Sequence, residues 1–233
     1  MSQGIDESMR SIRMKRTVIP ELLDSDSGSA ADIAGCLADL RMFNRWFGGA
    51  ATTCGLVREI VRRTGKTELS LLDVGGASGD VPTRVAHALG RDGVRVDFVV
   101  LDRSPVHLNG TRRSVAGDAL ALPFRDGSFD LVSSSLFTHH LEPSEIVRFI
   151  NESLRVARVA AVVNDLRRTR AHLALTYAGF TLYRSRITRH DAPASVRRAY
   201  TVDEMRDLLE GSRAAAVEIR NHYLCRMGAI AWR

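Results

Sequence analysis

Four short stretches of the chain gather residues able to do chemistry together. Asp73-Val74-Gly75-Gly76-Ala77-Ser78-Gly79-Asp80 is a Gly-rich turn with a carboxylate at each end. Gly75 and Gly79 let the backbone approach a ligand closely and take conformations closed to other residues. Taken alone, such a turn serves several nucleotide ligands, or plain packing. Asp102 closes the run VVLD, where a carboxylate can accept two hydrogen bonds from a ribose diol. Gly117-Asp118-Ala119 offers an acid that can meet the exocyclic amine of adenine. Ser133-Ser134-Ser135-Leu136-Phe137-Thr138-His139-His140-Leu141 carries two adjacent imidazoles, which point in different directions. His139 is favoured as proton acceptor or substrate contact, with His140 second. Packing of both against Phe137 is the alternative.

These stretches can cooperate only if several strands end at one edge. Residues 69–74 (LSLLDV) read as a buried strand entering the Gly-rich turn. Further strands are expected at 94–101, 113–116, 129–134 and 157–164, with helices at 80–89 and 145–156. That alternation implies a parallel α/β sheet, which binds ligands outside the carboxyl ends of its strands. Ahead of it, Ile33, Leu37, Leu40, Phe43 and Phe47 mark an amphipathic helix that Gly48-Gly49 breaks. A second helix is expected from 53 to 63, closed by Gly65. Ile12, Val18, Ile19, Leu22 and Leu23 predict one more short helix, before a loop at 24–29. Thr201 reads as the N-cap of a helix at 203–209, and 215–220 and 223–232 as two closing strands.

Bulk composition narrows the class. The 233 residues are 45% hydrophobic, enough for a real core, and no stretch approaches the ~20 apolar residues of a membrane span. Cys36, Cys54 and Cys225 form no CxxC pair, so neither a disulfide framework nor a metal site is expected. The first residues lack an apolar signal region, and a cytoplasmic location is the expectation. The formal charge is +6, and 31 of the 33 basic residues are arginine. Segment 166–200 holds eight arginines against Asp191 as its only acid, a local +7. A basic balance of this kind suits nucleic acid, an anionic membrane surface or an acidic ligand.

The order LLDVGGASGD, then LD at 101–102, then GDALALPFRDGSFDLV resembles the class I S-adenosylmethionine-dependent methyltransferases, specifically the ubiquinone and menaquinone biosynthesis type. The resemblance covers roughly 69–165. It implies a Rossmann-like seven-stranded, mostly parallel sheet of order 3-2-1-4-5-7-6 with the last strand antiparallel. Residues 1–64 would form an N-terminal helical cap, and 65–233 the catalytic domain with 166–200 inserted as a lid. The cofactor would be S-adenosylmethionine, with S-adenosylhomocysteine as product. Carried over by position, Asp73, Gly75, Gly76, Ala77, Gly79, Asp102, Arg103, Asp118, Ala119, Ser134 and Ser135 would hold it. Ala77 stands where the family has the middle glycine of its first motif, and Val156-Ala157-Arg158-Val159 replaces the usual Leu-Lys-Pro-Gly-Gly.

The acceptor is expected to be a small aromatic or amphipathic metabolite, with O-methylation favoured over C-methylation. The Arg-rich lid would suit an anionic or carrier-bound acceptor, or contact with a membrane surface; a solvated cationic face is the plainer alternative. Residues 190–198 would be the lid's return loop. Arg41, Asn44, Arg45 and Trp46 are candidate acceptor contacts, while Phe43, Trp46 and Phe47 are equally read as packing. The Asn/Asp-Pro-Pro-aromatic run of base-methylating enzymes is missing after residue 134, which lowers a nucleic-acid-directed reading. A nucleotide-binding module without transfer is the other alternative. The spacing of Asp73 and Asp102 is longer than a dinucleotide fold expects.

Overall fold

The structure, a computed structural model, describes residues 14–25, 27–108, 113–223 and 225–233. Its strands are β1 (Glu68–Val74), β2 (Arg95–Asp102), β3 (Ser114–Ala116), β4 (Phe129–Ser135), β5 (Ala157–Leu166), β6 (Ala216–His222) and β7 (Arg226–Trp232). They form one seven-stranded sheet in the order β3-β2-β1-β4-β5-β7-β6. The first five are parallel neighbours, and β7 runs antiparallel to both β5 and β6. This is the order and the strand direction expected above.

Parallel strands buried on both faces need apolar residues in unbroken runs. Along β1, Leu71 and Leu72 point to opposite faces, and along β4 Leu131 and Val132 do the same. One face is covered by α2 (Gly49–Thr64) and α3 (Asp80–Arg91), whose Val57, Ile60, Val85 and Leu89 pack with Leu71 and Leu131. The other is covered by α4 (Pro143–Val156) and α7 (Val202–Glu210), whose Phe149, Ile150, Met205 and Leu209 pack with Leu72 and Val132. Thr201 caps α7 in a reciprocal capping box with Glu204, as its position suggested.

Above the carboxyl ends of the strands lie α1 (Ala30–Trp46), α5 (Arg170–Ala178) and α6 (Arg186–Arg198). Asp39, fully buried on α1, accepts hydrogen bonds from the Arg184 and Ser185 amides and the Thr188 hydroxyl. That single carboxylate ties α1 to the N-terminal end of α6. Within residues 1–64, α1 therefore faces the lid while α2 lies on the sheet.

Three expectations need correction. The helix placed over 12–23 is not formed by the described residues, and Ile12 lies outside them. Residues 14–22 are an irregular strap ending in a 3-10 turn at Leu23–Ser25. Its amides are spent elsewhere: Thr17 N donates to Arg197 O, and Leu22 N and Leu23 N donate to the Asp191 carboxylate. The second N-terminal helix starts at Gly49, directly after Gly48 in the left-handed region (φ 81°). Residues 190–198, expected as a return loop, belong to α6. The Ser185 side chain caps that helix, and Ile187, Ala194 and Val196 bury its inner face despite the internal Pro193.

Candidate active site

The turn after β1 is shaped by close approach. Gly75 and Gly79 sit at φ 68°, and a Cβ on Gly75 would lie 2.7 Å from the Phe137 ring. Ala77, in the family's glycine position, also has a positive φ of 43°. Gly75 N donates to Leu101 O, which holds the turn against the end of β2. Asp73 is buried beneath it. One oxygen accepts the Ser133 hydroxyl at 2.6 Å and the other has no partner. Burial pushes the Asp73 carboxyl up to about 7 against the Ser133 hydrogen bond, and Asp80 and Asp102 add to the rise.

At the end of β2, Asp102 accepts the Ala77 and Ser104 amides, each at 3.0 Å. Burial alone would raise its carboxyl. Hydrogen bonds from His107, Ser104 N and Ala77 N outweigh that and hold it below the ordinary value. Asp118 accepts from Leu120 N, which orients the loop after β3.

These strand ends open into a cavity of about 1080 Å³ that continues between α1, α5 and α6. Of the residues singled out from sequence, Asp73, Gly75, Gly76, Ala77, Asp102, Arg103, Asp118, Ala119, Ser135, His139 and His140 line it. Gly79 and Ser134 do not. Gly79 is taken up as the N-cap of α3. Ser134 points to the face opposite Ser133 and Ser135 by strand alternation, and is buried.

Beyond the end of β4 the chain makes a 3-10 turn at Thr138–His140. Leu136, with φ 55°, carries the strain of that exit. His139 is almost fully buried there, and its Nδ1 lies 2.7 Å from Asp165 Oδ1 at the end of β5. Asp165 also accepts the Thr138 hydroxyl and the His139 amide. Burial would raise its carboxyl, but the His139 ring and these donors hold it well below the carboxylate range. An ionised carboxylate only accepts, so Nδ1 is the donor in this contact, and in the neutral imidazole Nε2 then carries the lone pair. Nε2 has no hydrogen-bond partner and lies 3.7 Å from Glu21 Oε1, likewise unpartnered. His140 Nδ1 is 3.0 Å from Asp24. Among the described residues, Glu21, His139 and His140 are the one group with cation-binding atoms close together, within 4.8 Å.

The rest of the cavity wall is largely apolar, with Leu37, Leu40 and Phe43 of α1 facing Leu175, Leu182 and Tyr183 of the lid. Arg41 and Asn44 line it as suggested, whereas Arg45 and Trp46 do not. Phe43 and Phe47 face the cavity, and Trp46 is exposed, so packing accounts for none of the three in full. The lid arginines are redirected. Only Arg198 of the eight lines the cavity. Arg168 is buried on Glu204 and the Ala199 carbonyl, Arg186 pairs with Asp32, and Arg189 reaches Tyr183 O. Around His139 and His140 the charged groups are Glu21, Asp24, Asp165, Asp191 and the cation Arg198, which spacing along the chain does not bring together.

Residues 72–163 match the family described as a methyltransferase domain. Demethylmenaquinone methyltransferase of Roseiflexus sp. (strain RS-1) is 35% identical over 162 residues, covering 63% of this chain and 67% of that protein. The namesake from Roseiflexus castenholzii is 32% identical over the same share. Plantazolicin methyltransferase BpumL, crystallised with S-adenosylhomocysteine, superposes over 99% of both chains with a TM-score of 0.68 at 14% identity. The chain belongs to the class I S-adenosylmethionine-dependent methyltransferases.

The residues of this methyltransferase suit S-adenosylmethionine. The unpartnered oxygens of Asp73 and Asp80 both belong to cavity-lining residues and need a donor such as an ammonium. The turn at Gly75 is a cradle that a Cβ would fill. Asp102 would take the ribose, Asp118 and Ala119 would flank the adenine, and Ser135 would lie beside the sulfur end. Sequence reasoning missed Asp165, Glu21, Asp39 and Asp191. Asp165 had a signal, being an acid at the end of a strand next to β4. The other three had none, because each acts through a distant segment.

Proposed function

We propose that this methyltransferase transfers a methyl group to an oxygen of a small aromatic or amphipathic metabolite, in quinone-type or specialised biosynthesis. The observation that carries this is the carboxylate-backed His139, whose unpartnered Nε2 lies at the end of β4 beside an apolar cavity. S-adenosylmethionine, when bound, supplies an electrophilic sulfonium methyl. The chain's own work is to hold the acceptor and take its proton. A phenolic O–H donates to His139 Nε2; the O–H bond breaks, an N–H bond forms, and the oxygen becomes nucleophilic. The Asp165 carboxylate steadies the imidazolium through Nδ1. Leu37, Leu40, Phe43, Leu175 and Leu182 orient the acceptor's apolar body.

The acidic surroundings of His139 favour an acceptor whose reacting end is a neutral hydroxyl rather than a carboxylate or phosphate. The name of the Roseiflexus relatives supports a quinone-type aromatic ring. The pairing of several lid arginines with protein groups supports a small acceptor over nucleic acid. The test is incubation with methyl-labelled S-adenosylmethionine and phenols with and without an alkyl chain. An O-methyl product that requires His139 is expected; C-methyl or base-methyl products would overturn the reading.

A further inference from the structure

Eight large apolar side chains are exposed among the described residues; apart from Val18, Val106 and Tyr223 they fall at 46–47 and 175–182. Phe47, Leu175 and Leu182 are exposed and also line the cavity, so they form its mouth. Trp46 stands beside Phe47 at 65% exposure, and Leu182 and Leu175 are 60% and 52% exposed. The aromatic chain Phe47–Phe43–Tyr183–Phe180–Tyr177 joins the α1 side of the mouth to the lid side through edge and tilted ring contacts. Surface apolar residues occurring singly need no explanation, but exposed apolar residues on two sides of a cavity mouth, joined through partly buried Phe43 and Phe180 and buried Tyr183, mark an interaction site.

The segments that carry these residues are cationic, although Asp80 of the cavity wall feels the charge of Arg41. Segments 40–48, 170–184 and 220–226 carry six arginines and no acid. Arg226 is buried, and Arg220 leans towards Glu218. The side chains of Arg41, Arg45, Arg170 and Arg184 make no ion pair among the described residues, and Arg45 stacks on Trp46. Elsewhere on the lid the arginines bond to carboxylates or carbonyls. A tryptophan and leucines standing among unpaired arginines match the boundary between acyl chains and anionic headgroups.

We propose that the cavity mouth, formed by Trp46, Phe47, Leu175 and Leu182 among Arg41, Arg45, Arg170 and Arg184, docks on an anionic lipid bilayer. The cavity then opens towards the membrane, and an acceptor dissolved in the bilayer enters without crossing water. The choice of this face rests on reading the cavity as the acceptor site, but docking is measured without turnover and stands or falls separately.

The chain carries its own reporter. Trp232 hydrogen-bonds Glu218 and lies under Arg63. Replacing it with Phe leaves Trp46 as the sole tryptophan. The full chain, loaded with S-adenosylhomocysteine, is mixed with vesicles of phosphatidylcholine alone or with phosphatidylglycerol. With the anionic vesicles, Trp46 emission should shift to shorter wavelength and the protein should co-sediment. Leu182→Ser should weaken binding about tenfold, as loss of one large apolar contact implies. Arg170→Ser with Arg184→Ser should weaken it about fivefold per charge. All these side chains are exposed, so retained S-adenosylhomocysteine binding certifies the fold. No co-sedimentation, equal binding to neutral vesicles, or binding indifferent to these substitutions overturns the proposal. So does concentration-dependent self-association through Trp46 without vesicle binding.

Discussion

Asp165 at the end of β5 receives the Nδ1–H of His139 at 2.7 Å, which makes Nε2 the lone-pair nitrogen of the neutral ring in the turn beyond β4. Asp165 lies on β5 and His139 in the 3-10 turn that leaves the neighbouring parallel strand β4, so sheet and turn together set their spacing. His139→Ala should lower turnover by about 10²–10⁴-fold, the usual worth of a positioned base. Asp165→Asn should cost much of the same by releasing the tautomer. Calorimetry with S-adenosylhomocysteine should show near-native affinity for both. Wild-type turnover in His139→Ala would reject its role.

Asp102 holds the glycine turn through Ala77 N and offers its remaining lone pairs to the cofactor. Asp102→Ala should weaken S-adenosylhomocysteine binding by about 2–3 kcal/mol, the range for hydrogen bonds to a charged group. Titration calorimetry of the purified variant reads this directly.

The turn itself predicts opposite outcomes for two small substitutions. Gly75→Ala places a methyl 2.7 Å from the Phe137 ring at φ 68°, and should abolish cofactor binding. Ala77→Gly removes a side chain from a left-handed position costing roughly 1 kcal/mol, partly offset by chain entropy. It should bind cofactor normally and melt no lower than the wild type.

Glu21 is pushed up from 4.5 to about 7, mainly by burial, with Asp24 and Asp191 adding and His140 and Ser195 opposing. Between those values the folded chain keeps a proton that the unfolded chain has released. Its contribution is therefore present below the unfolded value and is lost as pH rises through the folded one. The ceiling is about 3 kcal/mol. Glu21→Gln should gain stability over the wild type on going from pH 5 to pH 8, as read by thermal unfolding at both.

Asp39 ties α1 to the lid with three donors and has no exposed surface. Asp39→Ala should cost about 2–4 kcal/mol by orphaning two amides and a hydroxyl. Hydrogen exchange should accelerate in 184–188 first. Uniform loosening across the sheet would show that the carboxylate serves the whole fold instead.

Local pattern was enough for the sheet and the cofactor edge. The short runs at 69–74, 129–134 and 157–164 read as buried strands, and the glycines and acids that follow them are adjacent in sequence to what they serve. The seven-strand order was legible through the family resemblance that these motifs carry, and most of the cavity-lining residues at the strand ends lie in them. Ser134 was misassigned because motif position does not say which face a strand residue takes. For the arginines of 166–200 the sequence left a ligand-facing and a solvated role both open, because charge counts do not show that Arg168 is buried on Glu204 or that Arg186 meets Asp32.

What the sequence determined alone is the part whose interactions are local: strand, turn, helix cap and the acids that end each strand. Tertiary structure decided the acceptor side. Glu21 lies 118 positions before His139 in the numbering and 3.7 Å from it in space, and Asp39 and Asp191 act across similar gaps. Such pairs leave no periodic trace in the chain, because their partners are chosen by the packing of strap, α1 and lid. The same packing turns a featureless +6 into unpaired arginines around one apolar mouth.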